Sequence, residues 1–162
     1  MPILTLTSLR GNEMRIFLVV DDHPGDLEQT AAQLKTLSVG AEILTAPSGE
    51  AGLEMLHTRR VMPSLIFLDF DLGDAMSGIE FLGRVRQTRW LDRVPIAMLS
   101  EPVADRYVVT SYRLGVCAFL TKPVRGYELR EAIRDFAQPA KRMTSATVIP
   151  GDRGPAWGRS AA

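Results

Sequence analysis

Leu65-Ile66-Phe67-Leu68-Asp69-Phe70-Asp71 is a nearly all-apolar run of strand length that stops abruptly on acid. A run of this kind, without alternation, reads as a strand buried on both faces, the environment of a parallel sheet with helices packed on either side. In open α/β sheets the ligand crevice lies beyond the carboxyl ends of the strands, which puts Asp69 at the mouth of a site with the strand as rigid support. Taken alone, an aspartate at a strand end is more often a helix cap or the start of a turn. The other strand ends therefore decide its meaning.

Working outward, Arg15 to Val20 is a second β-rich apolar run, and it ends on Asp21-Asp22. After the turn sequence His23-Pro24-Gly25, a helix is expected with Asp26 as its N-cap and Leu27, Ala31, Leu34 and Leu37 on one face, ending near Gly40. Ala41 to Ala46 reads as a short strand. Ser48 caps the next helix, whose apolar contacts are Ala51, Leu53, Met55 and Leu56. Beyond the central strand, Leu72 to Ser77 reads as a polar loop, followed by an amphipathic helix through Ile79, Leu82 and Val85. Arg84, Arg86 and Arg89 give that helix a solvated basic face. Pro95 to Leu99 is a strand ending on Ser100. Val103 to Leu114 is a helix with Pro102 in its first turn and Gly115 as its stop. Val116 to Leu120 is a fifth strand that runs into Thr121-Lys122-Pro123, and Tyr127 to Ala137 closes the unit as a helix buried through Leu129, Ala132, Ile133 and Phe136.

Five strands alternating with five helices predict the α/β class, a doubly wound five-stranded parallel sheet of the flavodoxin-like (βα)5 kind. Residues 1–13 read as an N-terminal extension, with Met14 as an alternative start, and residues 14–138 as one domain. Residues 139–162, rich in Pro, Gly, Ser, Ala and Arg, read as a flexible C-terminal tail in which Trp157 stands out; a lone tail Trp is more often exposed and idle, and the alternative is an anchor on a second subunit. The whole is 162 residues, enough for one domain with a proper core. With 19 Lys and Arg against 19 Asp and Glu, no global field draws the chain to nucleic acid or to an anionic membrane. Cys117 is the one cysteine and lies in an apolar segment, so it reads as a small core residue in a reducing compartment. No apolar run approaches the roughly twenty residues that span a bilayer, and the expected location is the cytoplasm.

The strand exits form a set: Asp21 and Asp22, Asp69, Ser100, Lys122. Carboxylates about 4 Å apart repel by roughly 4 kcal/mol per pair at an effective dielectric near 20, so three of them call for a neutralising cation. Hard oxygen ligands in an incomplete set favour Mg²⁺. Asp22 and Asp69 are the expected direct ligands, Asp21 acts through water, and the backbone carbonyl of Asp71 completes the protein's share. Lys122 pairs with Asp69 at rest and with a phosphoryl oxygen after reaction, while the Ser100 hydroxyl donates to another phosphoryl oxygen. An in-line nucleophile, a metal and a fixed cation are the parts phosphoryl transfer needs, which makes Asp69 the nucleophile that becomes an acyl phosphate.

With Asp21-Asp22, Leu68-Asp69, Leu99-Ser100 and Thr121-Lys122-Pro123 in these places, the chain resembles the receiver domain of two-component response regulators over roughly Met14 to Ala137. The resemblance implies the receiver fold, transfer of a phosphoryl group from a histidine kinase to Asp69 in the presence of Mg²⁺, and slow loss of that phosphate. It also implies a cis peptide at Lys122-Pro123 and a switch in which Ser100 moves toward the phosphate and Phe119 turns into the space it leaves. The face made by the fourth helix, fifth strand and fifth helix is then remodelled, and it is the expected homodimer surface. His23-Pro24-Gly25-Asp26 and Ser111-Tyr112-Arg113-Leu114-Gly115 resemble single-domain regulators that accompany phytochrome-type kinases, so a bacteriophytochrome is the expected kinase and a phosphotransfer protein a further partner. Three departures from the family's pattern stand out: Glu101 beside the phosphate position, a loop from Leu72 to Ser77 that is one residue longer and lacks the usual Pro, and Asp71 itself.

On this reading the chain is a phosphoacceptor signalling protein with slow self-dephosphorylation and not a turnover enzyme. The rival reading is a haloacid dehalogenase-like phosphatase using Asp69 and Asp71. A flavin- or nucleotide-binding module suits the fold but not the acids, which would repel a bound phosphate.

Overall fold

The structure is a computed structural model that describes residues 13–73 and 75–143. In chain order it contains Ile16–Val20 (β1), Pro24–Leu37 (α1), Glu42–Ala46 (β2), Gly49–Arg59 (α2), Val61–Met62 (β3), Leu65–Asp69 (β4), Gly78–Gln87 (α3), Ile96–Ser100 (β5), Asp105–Arg113 (α4), Ala118–Thr121 (β6), Gly126–Phe136 (α5) and Lys141–Arg142 (β7). Five strands form one parallel sheet in the order β2-β1-β4-β5-β6, the doubly wound arrangement expected from the βα alternation. The chain steps outward from β1 to β2 and then crosses back to β4, so the topological switch point lies between β1 and β4, where such sheets hold their ligands.

Alternation along the strands divides the interior into two cores. Ile16, Leu18, Val20, Ile66, Leu68, Ile96 and Met98 meet Leu53 and Leu56 of α2 and Phe81, Leu82 and Val85 of α3. Phe17, Val19, Leu65, Phe67, Ala97 and Leu99 meet Leu34 of α1 and Leu129, Ala132 and Ile133 of α5. Both faces of β1, β4 and β5 are covered, which is why these strands are apolar at nearly every position. Each fully buried Leu, Ile or Phe contributes about 1.5–3 kcal/mol of burial, so register is strongly specified. Helix α4 differs. Ser111 is its buried residue, while Tyr107, Val109 and Tyr112 are exposed.

Several local expectations are corrected. Helix α1 is capped by His23 and not by Asp26: the Asp26 N–H donates to His23 Nδ1 at 3.3 Å, with Pro24 in the first turn, where its missing donor costs nothing. Helix α4 begins at Asp105, two residues later than Val103, with Ala104 at its cap and no side chain to accept from the first turn. The stretch Leu72 to Ser77 is not simply polar, since Leu72 and Met76 are buried in the α2/α3 core. Arg86 is not on a solvated face; its guanidinium donates to the carbonyls of Leu114, Asp92, Val94 and Gly115 at 2.9–3.2 Å.

The expected flexible tail from residue 139 starts as ordered backbone. Gln138 N–H donates to Ser64 O, Ala140 N–H to Met14 O and Met143 N–H to Arg60 O, and β7 pairs antiparallel with β3. Arg142 adds an ion pair with Glu42. The rest of the tail with Trp157, and the N-terminal extension up to residue 12, lie outside the described residues. Cys117 packs at the edge of the α1/α5 core, and burial pushes its thiol up to about 11, the behaviour of a packing residue and not of a reactive thiolate.

Candidate functional site

Parallel register brings the strand ends together: Val20 pairs with Leu68, Asp69 with Leu99 and Ser100 with Thr121. The residues at or just beyond these positions open into a cavity of about 660 Å³ whose lining includes Asp22, Asp69, Ser100, Glu101 and Lys122. Four strands that end level therefore deliver their polar residues to one place.

Lys122 is the hub. Its Nζ lies 3.1 Å from Asp21 Oδ2, 3.2 Å from Asp69 Oδ2 and 3.0 Å from Asp26 Oδ2. Asp21 uses its other oxygen, Oδ1, to accept the His23 N–H at 2.9 Å. Asp69 Oδ1 accepts the Asp71 N–H at 3.1 Å, so its two oxygens are held by backbone on one side and ammonium on the other. The Asp71 side chain is exposed and accepts the Gly73 N–H at 3.3 Å in a local turn. The Lys122–Pro123 peptide is cis.

Electrostatics mark the site as short of positive charge. Burial and then the neighbouring Asp21 carboxylate push Asp69 up to about 7 from an ordinary value of 3.8, against the opposing pull of Lys122. Burial alone would lower Lys122, but its hydrogen bonds to Asp26 and Asp21 and the charge of Asp69 outweigh that and hold it above its ordinary value. Asp21, Asp22 and Asp69 each present an oxygen within 4.8 Å of the others, with Asp22 exposed on the open side. An all-oxygen, excess-acid set with one open side fits a small hard divalent cation.

Ser100 is buried, and its hydroxyl donates to the Glu101 carbonyl at 2.5 Å, turned toward its own backbone. Phe119 is half-buried. Its ring packs 6.3 Å from Phe70, which in turn makes an edge contact at 5.5 Å with Tyr107 of α4. The start of α3 presses directly on the acid: a Cβ on Gly78 would come within 2.4 Å of the Asp69 carbonyl oxygen and 2.8 Å of that of Phe70. Glycine is required there because only a residue without a side chain lets the helix approach the strand end so closely.

Two features of the site lie beyond the sequence reading. Pro24 in the first turn is the signal that marks His23 and not Asp26 as the cap, and it puts the Asp26 side chain one turn into α1, within reach of Lys122. The Phe70–Tyr107 contact depends on the placement of α4 and leaves no local pattern.

The family model of the response regulator receiver domain matches residues 17–134. The transcriptional regulatory protein AfsQ1 of Streptomyces coelicolor is 35% identical over 136 residues, covering 84% of this chain and 56% of its own. Response regulator Rcp1 of Synechocystis sp. is 29% identical over 117 residues, covering 69% of this chain and 79% of its own. The chain thus spans about half the length of the first relative and most of the second. Among solved structures, the bacteriophytochrome response regulator AtBRR superposes with a TM-score of 0.66 at 33% identity, covering 77% of this chain and 94% of that one. These matches give no support to the phosphatase reading.

Proposed function

Because this chain belongs to the response regulator receiver domain family, we propose that Asp69 is its phosphoryl acceptor and that phosphorylation there remodels a protein-binding face. The observation that carries this reading is the Lys122 ammonium 3.2 Å from the buried Asp69 carboxylate, at the common exit of β1, β4, β5 and β6. A carboxylate oxygen of Asp69 attacks the phosphorus of a phosphohistidine on a histidine kinase. The O–P bond forms as the P–N bond breaks, and the imidazole nitrogen keeps the electron pair and takes up a proton. Lys122 donates to one phosphoryl oxygen. The Ser100 hydroxyl, once it leaves the Glu101 carbonyl, donates to another. Asp21, Asp22, Asp69 and the Asp71 carbonyl would hold Mg²⁺, which supplies charge neutralisation on the transferring group. Slow hydrolysis of the acyl phosphate resets the protein.

The movement of Ser100 frees space beside β6 for Phe119, and the aromatic chain from Phe119 through Phe70 to Tyr107 links that space to α4. A phosphate shifts the equilibrium by its different contacts in the two states. The α4–β6–α5 face carries Tyr107, Val109, Tyr112 and Tyr127 exposed, which supports its use as a phosphorylation-dependent homodimer surface. Likeness to the bacteriophytochrome response regulator AtBRR supports a phytochrome-type kinase as the phosphodonor; a phosphotransfer protein as a further partner and the cytoplasm as the place of action belong to the same proposal. Among the described residues no helix is long and apolar enough to cross a membrane.

Acetyl phosphate with Mg²⁺ is expected to add one HPO₃ group, located by mass spectrometry to the peptide containing Asp69 and absent from Asp69→Asn. No adduct, or an adduct elsewhere, overturns the assignment. Light scattering that gives a monomer mass both with and without a phosphate mimic removes the dimer.

A further inference from the structure

We propose that Asp26 is the positioning residue that keeps the Lys122 ammonium aimed at Asp69 throughout phosphoryl transfer, a role that rests on Asp69 as the acceptor. An ammonium has three N–H donors: Lys122 gives two as hydrogen bonds, to Asp26 at 3.0 Å and Asp21 at 3.1 Å, and its charge also pairs with Asp69 at 3.2 Å. Their fates during the reaction differ. When Asp69 becomes an acyl phosphate its charge passes to the phosphoryl group, and the third N–H of Lys122, not used by Asp21 or Asp26, can donate to a phosphoryl oxygen. Asp21 belongs to the cation-binding acids and already gives its second oxygen to the His23 N–H. Asp26 lies outside that set of acids, so its hold on Lys122 does not change with the metal or with the phosphate.

Geometry makes such a hold necessary. Lys122 also lines a second space of about 150 Å³, together with Asp26, Thr30, Leu99, Glu101 and Pro123. Asp26, Lys122 and Glu101 line both spaces, so the ammonium lies where the two meet. Without the Asp26 carboxylate, the flexible four-carbon stem of Lys122 has room to swing into the second space, out of reach of a phosphoryl group on Asp69. Asp26 is itself placed by the start of α1, where its N–H is fixed by His23 Nδ1.

The test is the rate of Asp69 phosphorylation by phosphoramidate at saturating Mg²⁺, measured for the full chain and for Asp26→Asn, which keeps the size and removes the charge. Misaiming a catalytic cation is expected to lower the maximal rate roughly tenfold while the donor concentration at half-maximal rate stays the same, since Asp26 touches Lys122 and not the donor. In a Lys122→Gln background the same substitution is expected to change the rate by less than about twofold, because residues acting as one unit are not additive. An unchanged or faster rate in Asp26→Asn, an effect confined to half-saturation, or an equal loss in the Lys122→Gln background overturns the proposal. Thermal melts confirm that each variant is folded, and if the Lys122 variants do not fold, the split between maximal rate and half-saturation decides alone. Failure of the parent chain to form any phosphate at Asp69 sinks the acceptor assignment instead, so the two failures are distinct.

Discussion

Lys122, whose side chain is largely buried, and Arg86, which is half-buried, are cations set at opposite ends of the same sheet, and they are satisfied in opposite ways. Lys122 sits among the carboxylates of Asp21, Asp26 and Asp69 beyond the carboxyl ends of the strands. Arg86 sits among the backbone carbonyls of Asp92 and Val94, just before β5, and of Leu114 and Gly115, just before β6. Carboxylates are exchangeable partners: a metal can draw them away, a proton can neutralise them and a phosphoryl group can esterify one. Carbonyls are fixed by the chain. The arrangement around Lys122 is therefore one state among several, while the arrangement around Arg86 is a bolt joining α3 to the entries of two strands.

The largest expected effect on stability is at the bolt. Arg86→Ala leaves the part-buried carbonyls of Leu114 and Val94 without a donor and should cost about 2–3 kcal/mol in a urea melt. Arg86→Lys should recover little, because an ammonium cannot span four acceptors as the planar guanidinium does. Below the melting transition the phosphorylation rate of Arg86→Ala should match that of the parent. A folded Arg86→Ala that no longer accepts phosphate would show that the two ends are coupled, and the contrast between a fixture and a state would break.

The acidic end should show the reverse: a substitution that abolishes the chemistry and raises stability. Asp69 titrates near 7 in the folded chain and near 3.8 when free of its neighbours. The folded state thus binds the proton more tightly, so the contribution of this group is fully present below its unfolded value and is lost as pH rises through about 7. Without metal, the parent should lose several degrees of melting temperature between about pH 5 and pH 8, and Asp69→Asn should lose less and melt higher at pH 8. Mg²⁺ should raise the parent and leave the variant largely unmoved. Differential scanning calorimetry at the two pH values, with and without Mg²⁺, reads all of this. A parent that is equally stable at both, or an Asp69→Asn that melts lower at pH 8, would mean the acids are already neutralised without metal.

This contrast was only half legible in the sequence. Strand exits can be read in one dimension, because an apolar run and the acid that ends it are adjacent; Asp21, Asp69, Ser100 and Lys122 needed only the parallel fold to be brought together. The partners of Arg86 cannot be read in this way. Helical spacing placed Arg86 on a face, but Leu114 and Gly115, 28 and 29 residues further on, are what close over it. The same holds for Gln138 to Met143, whose composition suggested a free tail although their backbone groups dock on Met14, Arg60 and Ser64. Backbone docking carries no side-chain signature. Asp26 falls between these cases: Pro24 carries the local signal that makes His23 the cap, which the expectation of Asp26 as the cap passes over, while the reach of Asp26 to Lys122, 96 residues away, needs the fold.

The smallest effect should come from Arg60, the residue that ends α2 with φ 49° and ψ 49° in the left-handed region. Glycine is favoured in that conformation, and a side chain with a Cβ pays about 1–2 kcal/mol for it. Arg60 Nε is also buried without a hydrogen-bond partner, so removing the side chain abolishes a desolvated donor. Against this, glycine gives the unfolded chain more freedom, worth about 0.5–1 kcal/mol. The balance favours Arg60→Gly by about 0.5 kcal/mol, or roughly 2 °C in melting temperature. The Arg60 carbonyl that accepts the Met143 N–H at 2.8 Å is backbone and survives the change, so the docked segment stays in place. Phosphorylation of Asp69 should be unaffected. A lower melting temperature for Arg60→Gly would show that the packed stem of this arginine contributes more than its strained backbone costs, and would place it with Arg86 among the side chains that hold the fixed part of the molecule together.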